Sequence, residues 1–570
     1  MDNAKFDVIL VGTGLTESIT AAALAKAGFK VAHIDSNGYY GGGEASLTVD
    51  ELAAWADSAP SIARSSTLPA SSRHYAICLR PSVIPSVGPL ISSLVASGVA
   101  RYGGFRLLER VAVYHPSGVL KHVPGTKEDV FKSKEISLID KRRLMRFLMF
   151  AVSDFEEKKE LEGAQDTPFA EFLTNVFSLK GEMHTALVYA LALCSSPSDL
   201  FGAQMAVDPT LPALHRIRRY LRSAGRYGAS PFLVGHYGGT GEIAQGFCRA
   251  SAVSGGVYIL GRKISSISHS ESHYSITLDD FPDTLTASVL ISSAAHLPPQ
   301  LAHLATFLPS SSTDPSTTSI DTGTHASVRG IAILDRGILF PLTPSSQDQE
   351  QSEENASPAE DTSTPPPAPT PLDAGIIVFP PSSVPGGSTI TAATVLVTGE
   401  GTMSTPKDRW ILYIALPLPD ASDAVPAEDL LRPYLDATLA LTVPPSPPSP
   451  AHTSSELDST PTPTPTPPAP LFTAFYIEHP TAPLSPSPLS PSSSHKPHII
   501  PAPLAPSAAL PDAPDAAAVH AEAAFWGAVR ALRELGVRRG AQAEGEEQED
   551  IESFWPPLEV EAEEGGEEEW

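Results

Sequence analysis

One stretch near the start of the chain restricts the fold more than any other. Residues Phe6 to Val11 read FDVILV, an unbroken apolar run of the length expected for a strand buried on both faces. GTGLTE follows, and then an Ala/Leu-rich segment to about Ala27 that Gly28 closes, the pattern of a helix with its stop signal. KVAHID supplies a second strand ending at Asp35. Strand, glycine turn, helix and strand in this order begin a βαβ unit. A carboxylate closing the second strand, roughly twenty residues after the glycines, stands where dinucleotide folds hold a ribose. The expected class is α/β, with a large domain of FAD/NAD(P)-binding-like type.

The glycine motif itself is altered. Gly12 and Gly14 keep the first two glycines of GxGxxG, but Glu17 occupies the third position. Glycine there lets helix pack closely on strand, whereas glutamate adds bulk and puts an anion at the positive end of the helix, in competition with a cofactor phosphate. Gly12, Gly14, Glu17 and Asp35 are therefore expected to serve as a structural strand-to-helix turn, with no cofactor bound. A flavin-dependent oxidoreductase on the same fold remains an alternative, and Glu17 is the obstacle to it.

Composition divides the rest. The 57 prolines and 42% apolar content average a globular first half with a Pro/Ser/Thr/Ala-rich second half that cannot all be core. Helical spacing dominates after about residue 126, including Leu144, Phe147 and Leu148, and continues through Phe169 to Leu179, Met183 to Ala192 and Leu211 to Ala224. Helices clustered without intervening strands indicate a separate layer. The expected organisation is a large domain from 1–125, 229–340 and 373–480, with a helical domain at 126–228. Segments 341–372, 444–470 and 481–515 are expected to be disordered insertions, 516–541 a further helix, and 542–570 an acidic disordered tail. Pro-rich stretches such as Pro461 to Pro470 also suit polyproline II ligands.

The formal net charge is -27, and thirteen carboxylates lie between Glu544 and Glu569 without a single Lys or Arg. Nucleic acid is an unsuitable partner for such a chain. Cys78, Cys194 and Cys248 are far apart in sequence and lack the paired spacing of a zinc site. With no basic, apolar leader at the start and no run of eighteen apolar residues, cytosolic residence is the expectation. No nucleophile, acid–base pair or metal cluster emerges as catalytic.

Three segments carry a resemblance: GTGLTES, HIDSNGYYGGGEASLT, and RYGASPFLVGHYGGTGEIAQGFCRASAVSGGVYIL. Together with Val123 to Phe150 they closely resemble the Rab escort protein and Rab GDP-dissociation inhibitor superfamily, over roughly residues 5 to 265. The resemblance implies a flavoprotein-like large domain that has lost redox function, plus a small helical domain. It also implies a Rab-binding platform at Tyr39, Glu242, Arg249 and Ile259, the last in place of a methionine common in relatives. Glu242 and Arg249 are seven apart and share a face if their segment is helical. Read without the resemblance, they are a capping carboxylate and a surface ion pair.

What the resemblance implies in function is a non-catalytic protein that binds GDP-bound Rab GTPases and presents them to a Rab geranylgeranyl transferase heterodimer. It would then shelter the geranylgeranyl lipid and deliver the Rab transiently to membranes. Leu144, Phe147, Leu148 and Leu187 can line such a lipid groove or be plain core. Arg216, Arg218, Arg219, Arg222 and Arg226 can meet an acidic partner such as the transferase, or form a solvated helix face with some internal pairing. The rival within the superfamily is a GDP-dissociation inhibitor that recycles prenylated Rabs.

Overall fold

The computed structural model describes residues 5–123, 137–195, 208–270, 273–308, 325–339, 371–418, 425–442, 469–481, 497–537 and 551–557. The opening unit is β1 (Lys5–Val11), α1 (Leu15–Lys26) and β2 (Val31–Asp35). β1 lies inside a parallel layer, with Val8 opposite Val31 on one side and Val289 on the other. The Val257–Leu260 strand extends this layer at the outer edge of β2, setting Ile259 opposite Ile34. On the far side, Leu285–Ser292 continues into the antiparallel strands His273–Leu278 and Ile264–Ser270.

α1 shows why the unit is Ala-rich. Apart from Glu17, every residue from Leu15 to Ala25 is buried. The helix packs between the sheet and two further helices, Thr240–Val253 and Asp512–Glu534. Small side chains on all sides are what such a three-sided contact admits, so amphipathic patterning is absent here for a physical reason.

The second sheet runs in the order Ala63–Arg64, Phe472–Glu478, Ser327–Leu334, Trp410–Pro417, Ala393–Thr398, Ala374–Phe379, Arg110–His115, Val119–His122. The Ala427–Ala440 helix covers one face. A helical layer shares a core with the other, through Phe147, Phe150, Phe169, Phe172 and Phe177 of the helices at Leu138–Val152 and Phe169–Phe177. Leu144, Phe147 and Leu187 are buried in that core and Leu148 packs against it.

Two stretches expected to be disordered contain ordered structure. Within 481–515, His498–Ile500 forms a strand parallel to Leu285–Ser292 and to Ala305–Phe307. The prolines on either side bound this short apolar run without interrupting its ladder; Pro497 still contributes its carbonyl, to Leu290 N–H at 3.0 Å. Within 542–570, residues 551–557 are ordered because Phe554 and Trp555 reach the apolar core of the first layer. The late helix spans Asp512–Glu534, starting four residues before the expected 516. Most of 341–372 and 444–470, the stretch 482–496 and the remainder of the acidic tail lie outside the described residues.

Candidate functional site

The glycine turn is filled by the chain itself. Gly12 takes φ +96°, open to glycine but strained for other residues. The Asp35 carboxylate accepts from Thr13 N–H at 2.8 Å and Thr13 Oγ1 at 2.6 Å on one oxygen, which holds the turn, and from Asn37 N–H at 2.8 Å on the other, which holds the start of the following loop. At the start of α1, Leu15 N–H donates to Glu44 Oε2 at 3.2 Å. The Glu17 carboxylate folds back over Gly14, where an added Cβ would lie 2.7 Å from Glu17 Oε2. A helix N-terminus is the place where this fold receives a diphosphate, and here it already holds carboxylates. The residues do not fit a flavin or nicotinamide dinucleotide.

Glu44 is also tied outward. Its Oε1 accepts from Arg80 Nη1 at 2.8 Å. Arg80 pairs in turn with Glu478, which pairs with Arg329 on the second sheet. Burial pushes Glu478 up, but Arg80 and Arg329 outweigh it and bring its pKa down to about 2. Glu17 goes the other way. Burial, reinforced by the Glu44 and Asp35 charges, pushes it up to about 7. A cavity of about 430 Å³ adjoins this cluster, walled by Gly12, Asp35, Glu44, Arg80 and Lys263, with Pro501 to Leu504 along another side.

The loop after β2 lies directly over the turn. Gly41 N–H donates to Thr13 O at 3.1 Å, and a Cβ on Gly42 would stand 3.3 Å from Gly14 N. Tyr39, half-buried, packs against the core of the second sheet. Glu242 stands in the first turn of the Thr240–Val253 helix, where the helix dipole favours a carboxylate; burial raises its pKa. Arg249 is exposed two turns further along the same helix, its guanidinium 4.8 Å from the Tyr102 ring centre. It is thus a cation over an aromatic face, worth about 0.5–1 kcal/mol at an exposed site.

Loop and helix meet backbone to backbone. A Cβ on Gly41 would be 3.4 Å from Gly241 Cα, and one on Gly241 would be 2.6 Å from Glu44 O. The loop that bears Tyr39 thus touches the start of the helix that carries Glu242 and Arg249. Ile259 is set apart by the strand pleat. Tyr258 faces the helix side, with its ring 5.8 Å from Tyr40 and 5.0 Å from His33, while Ile259 packs with Ile34 on the other face of the sheet.

On the arginine-rich helix, Thr210–Ser223, internal pairing dominates and the expected solvation is largely missing. Arg218 makes a two-pronged pair with Glu156, at 2.6 and 3.1 Å. Arg216 lies 3.2 Å from Asp208 and 3.0 Å from Asp512. Arg219 pairs with Asp512 and, at 3.1 Å, with Asp515. Only Arg222 and Arg226 remain largely outside this arrangement, Arg226 lying over the Tyr227 ring at 5.5 Å. Sequence reading also passed over Glu44, Arg80, Tyr102 and Tyr258. Of these only Glu44 carried a local signal, since it directly follows the glycine run.

Comparison with known proteins places this geometry in a family. Residues 1–307 match the family described as GDP dissociation inhibitor. The Rab proteins geranylgeranyltransferase component A of Candida albicans is 36% identical over 281 residues, spanning 46% of this chain and 42% of that protein. The Rab GDP dissociation inhibitor beta of Rattus norvegicus is 34% identical over 273 residues, spanning 46% and 58% respectively. The chain thus aligns with about half the length of these relatives. The crystal structure of Rab GDI from Plasmodium falciparum superposes with a TM-score of 0.59 at 18% identity, covering 93% of this chain and 98% of that one, a likeness of fold. With more than half its length matched, and with a dinucleotide-type layer whose phosphate turn is closed by its own carboxylates, the chain belongs to the GDP dissociation inhibitor family.

Proposed function

We propose that the chain acts as a Rab escort protein, binding GDP-loaded Rab GTPases and presenting them to a Rab geranylgeranyl transferase heterodimer. The observation that carries this reading is the 36% identity, over 281 residues, to a geranylgeranyltransferase component A. Tyr39, Glu242 and Arg249 contribute the Rab contact; Ile259, half-buried on the opposite face of the edge strand, adds an apolar contact only where the partner wraps that edge. A charged helix beside aromatic rings suits a polar protein partner.

In this reading the chain carries no chemistry of its own. The transferase supplies it, and the helical layer docks that enzyme. Holding the Rab C-terminus near the transferase turns a weak encounter into an intramolecular one. An apolar groove then shelters the attached lipid, each buried methylene contributing about 0.8 kcal/mol. The protein works from the cytosol and meets membranes only at delivery; no helix among the described residues is long and apolar enough to cross one.

The second reading, a GDP-dissociation inhibitor that recycles prenylated Rabs, is favoured by the 34% identity to the rat inhibitor. Rab geranylgeranylation by purified transferase, with and without this chain, separates the two. Strong stimulation is the expected outcome for an escort; efficient extraction of Rab from liposomes without stimulation would move the assignment to recycling.

A further inference from the structure

The carboxylate at the head of α1 has a second connection. Glu44 is 6% exposed, and its two oxygens face different structures: Oε2 takes Leu15 N–H at 3.2 Å and Oε1 takes Arg80 Nη1 at 2.8 Å. Its own N–H closes the loop on Gly41 O at 2.8 Å. Its carbonyl oxygen lies against Gly241, where a Cβ would come within 2.6 Å. Gly41, at φ +97°, admits no side chain without strain. One residue therefore touches the turn, the loop that bears Tyr39, and the helix start next to Glu242.

We infer that Glu44 is a positioning residue for the partner surface: it takes the seat of a cofactor phosphate and from there fixes the Tyr39 loop against the Thr240–Val253 helix. The inference rests on the Rab-binding reading given above, and deepens it by assigning the altered dinucleotide turn a task. In a dinucleotide-binding fold the N–H groups at this turn are completed by a ligand that arrives and leaves. In this chain one of them, Leu15 N–H, is taken by a carboxylate of the loop that bears Tyr39, so the loop is held without any ligand. Arg80 extends the hold to Glu478 on the Phe472–Glu478 strand, coupling the loop to both sheets.

A residue serving core stability alone would weaken the whole protein evenly; a positioning residue loosens two defined segments. The test is hydrogen exchange and Rab affinity on the full chain, for the unaltered protein, Glu44→Ala, Glu44→Gln and Arg249→Glu, with a purified GDP-loaded Rab GTPase as the probe. Gln keeps an acceptor for Leu15 N–H but turns an amide donor toward Arg80, so it carries the test if Ala does not fold. Amides in 38–46 and 239–244 should exchange at least tenfold faster in the Glu44 variants, with the Ala374–Phe379 strand, which lies outside the Glu44–Arg80–Glu478–Arg329 network, unchanged and Rab affinity down at least tenfold. Unchanged exchange in those segments would overturn the inference, as would faster exchange with affinity kept within twofold. If Arg249→Glu left affinity unchanged while Glu44→Ala reduced it, the platform assignment would fail and the positioning role would stand; if the unaltered chain bound no Rab, both would fall.

Discussion

Phe554 sits edge-on to Phe525, ring centres 5.2 Å apart, and beside it Trp555 stacks on Phe247 at 5.9 Å. The two receiving rings belong to the helices that flank α1, so a short aromatic piece of the acidic C-terminal stretch is fastened to the outside of the first layer. Truncating a well-packed Phe costs about 3–5 kcal/mol in a core; at this rim, Phe554→Ala should lose somewhat less and release residues 551–557 alone. Red-shifted tryptophan emission and new protease cleavage in that segment are expected, with a modest downward shift of the main unfolding midpoint.

The pairing of Arg216 and Arg219 with Asp512 and Asp515 joins the helical layer to the start of the Asp512–Glu534 helix. Asp515 also accepts from Leu90 N–H at 3.1 Å. Removing one partner from a buried set leaves uncompensated charge, at a cost of about 3–5 kcal/mol. Asp512→Asn should show that loss in urea unfolding, and loosening should appear in exchange across 210–223 and 512–520.

Glu17 gives a pH dependence of definite sign. Its folded pKa of about 7 lies above the ordinary carboxylate value of 4.5, so between these limits the folded state holds a proton that the unfolded state has lost. Stability therefore falls as pH rises through this window. At 1.36 kcal/mol per unit the contribution is on the order of 3 to 4 kcal/mol. Glu17→Gln should match the unaltered protein near pH 4.5 and exceed it in stability above pH 7; parallel curves across the range would refute this.

Arg249→Glu should lower Rab affinity at least tenfold while leaving the melting temperature within a degree or two, because the residue is exposed and its stacking on Tyr102 contributes only about 0.5–1 kcal/mol. A large loss of stability instead would assign the residue to structure.

Local signals made the first layer legible. FDVILV, the glycines and Asp35 all act within thirty-five residues, and short-range pattern suffices for them. The arginines of Thr210–Ser223 were not legible in the same way, since the carboxylates that bury Arg216 and Arg219 lie some three hundred positions later, at Asp512 and Asp515. Composition misled at His498–Ile500 and at Phe554: Pro and Glu dominate the averages there, but a few apolar side chains with a surface to meet decide the outcome. The relation among the residues proposed to contact a Rab was legible only in part. Helical spacing aligned Glu242 with Arg249, whereas the pleat that turns Ile259 away depends on pairing with β2.

The embrace of α1 by the Asp512–Glu534 helix has a consequence for how the protein comes into being. Thr20 Oγ1 donates to Ala521 O across 501 positions of sequence. At a synthesis rate of about 5–20 residues per second, the ribosome needs roughly 25 to 100 seconds to supply that partner. Throughout this interval an apolar helix on the nascent chain lacks one of its three neighbours. Newborn chains should accordingly be clients of holding chaperones until the Asp512–Glu534 helix emerges, and truncation ahead of residue 512 should yield insoluble protein rather than a smaller folded one.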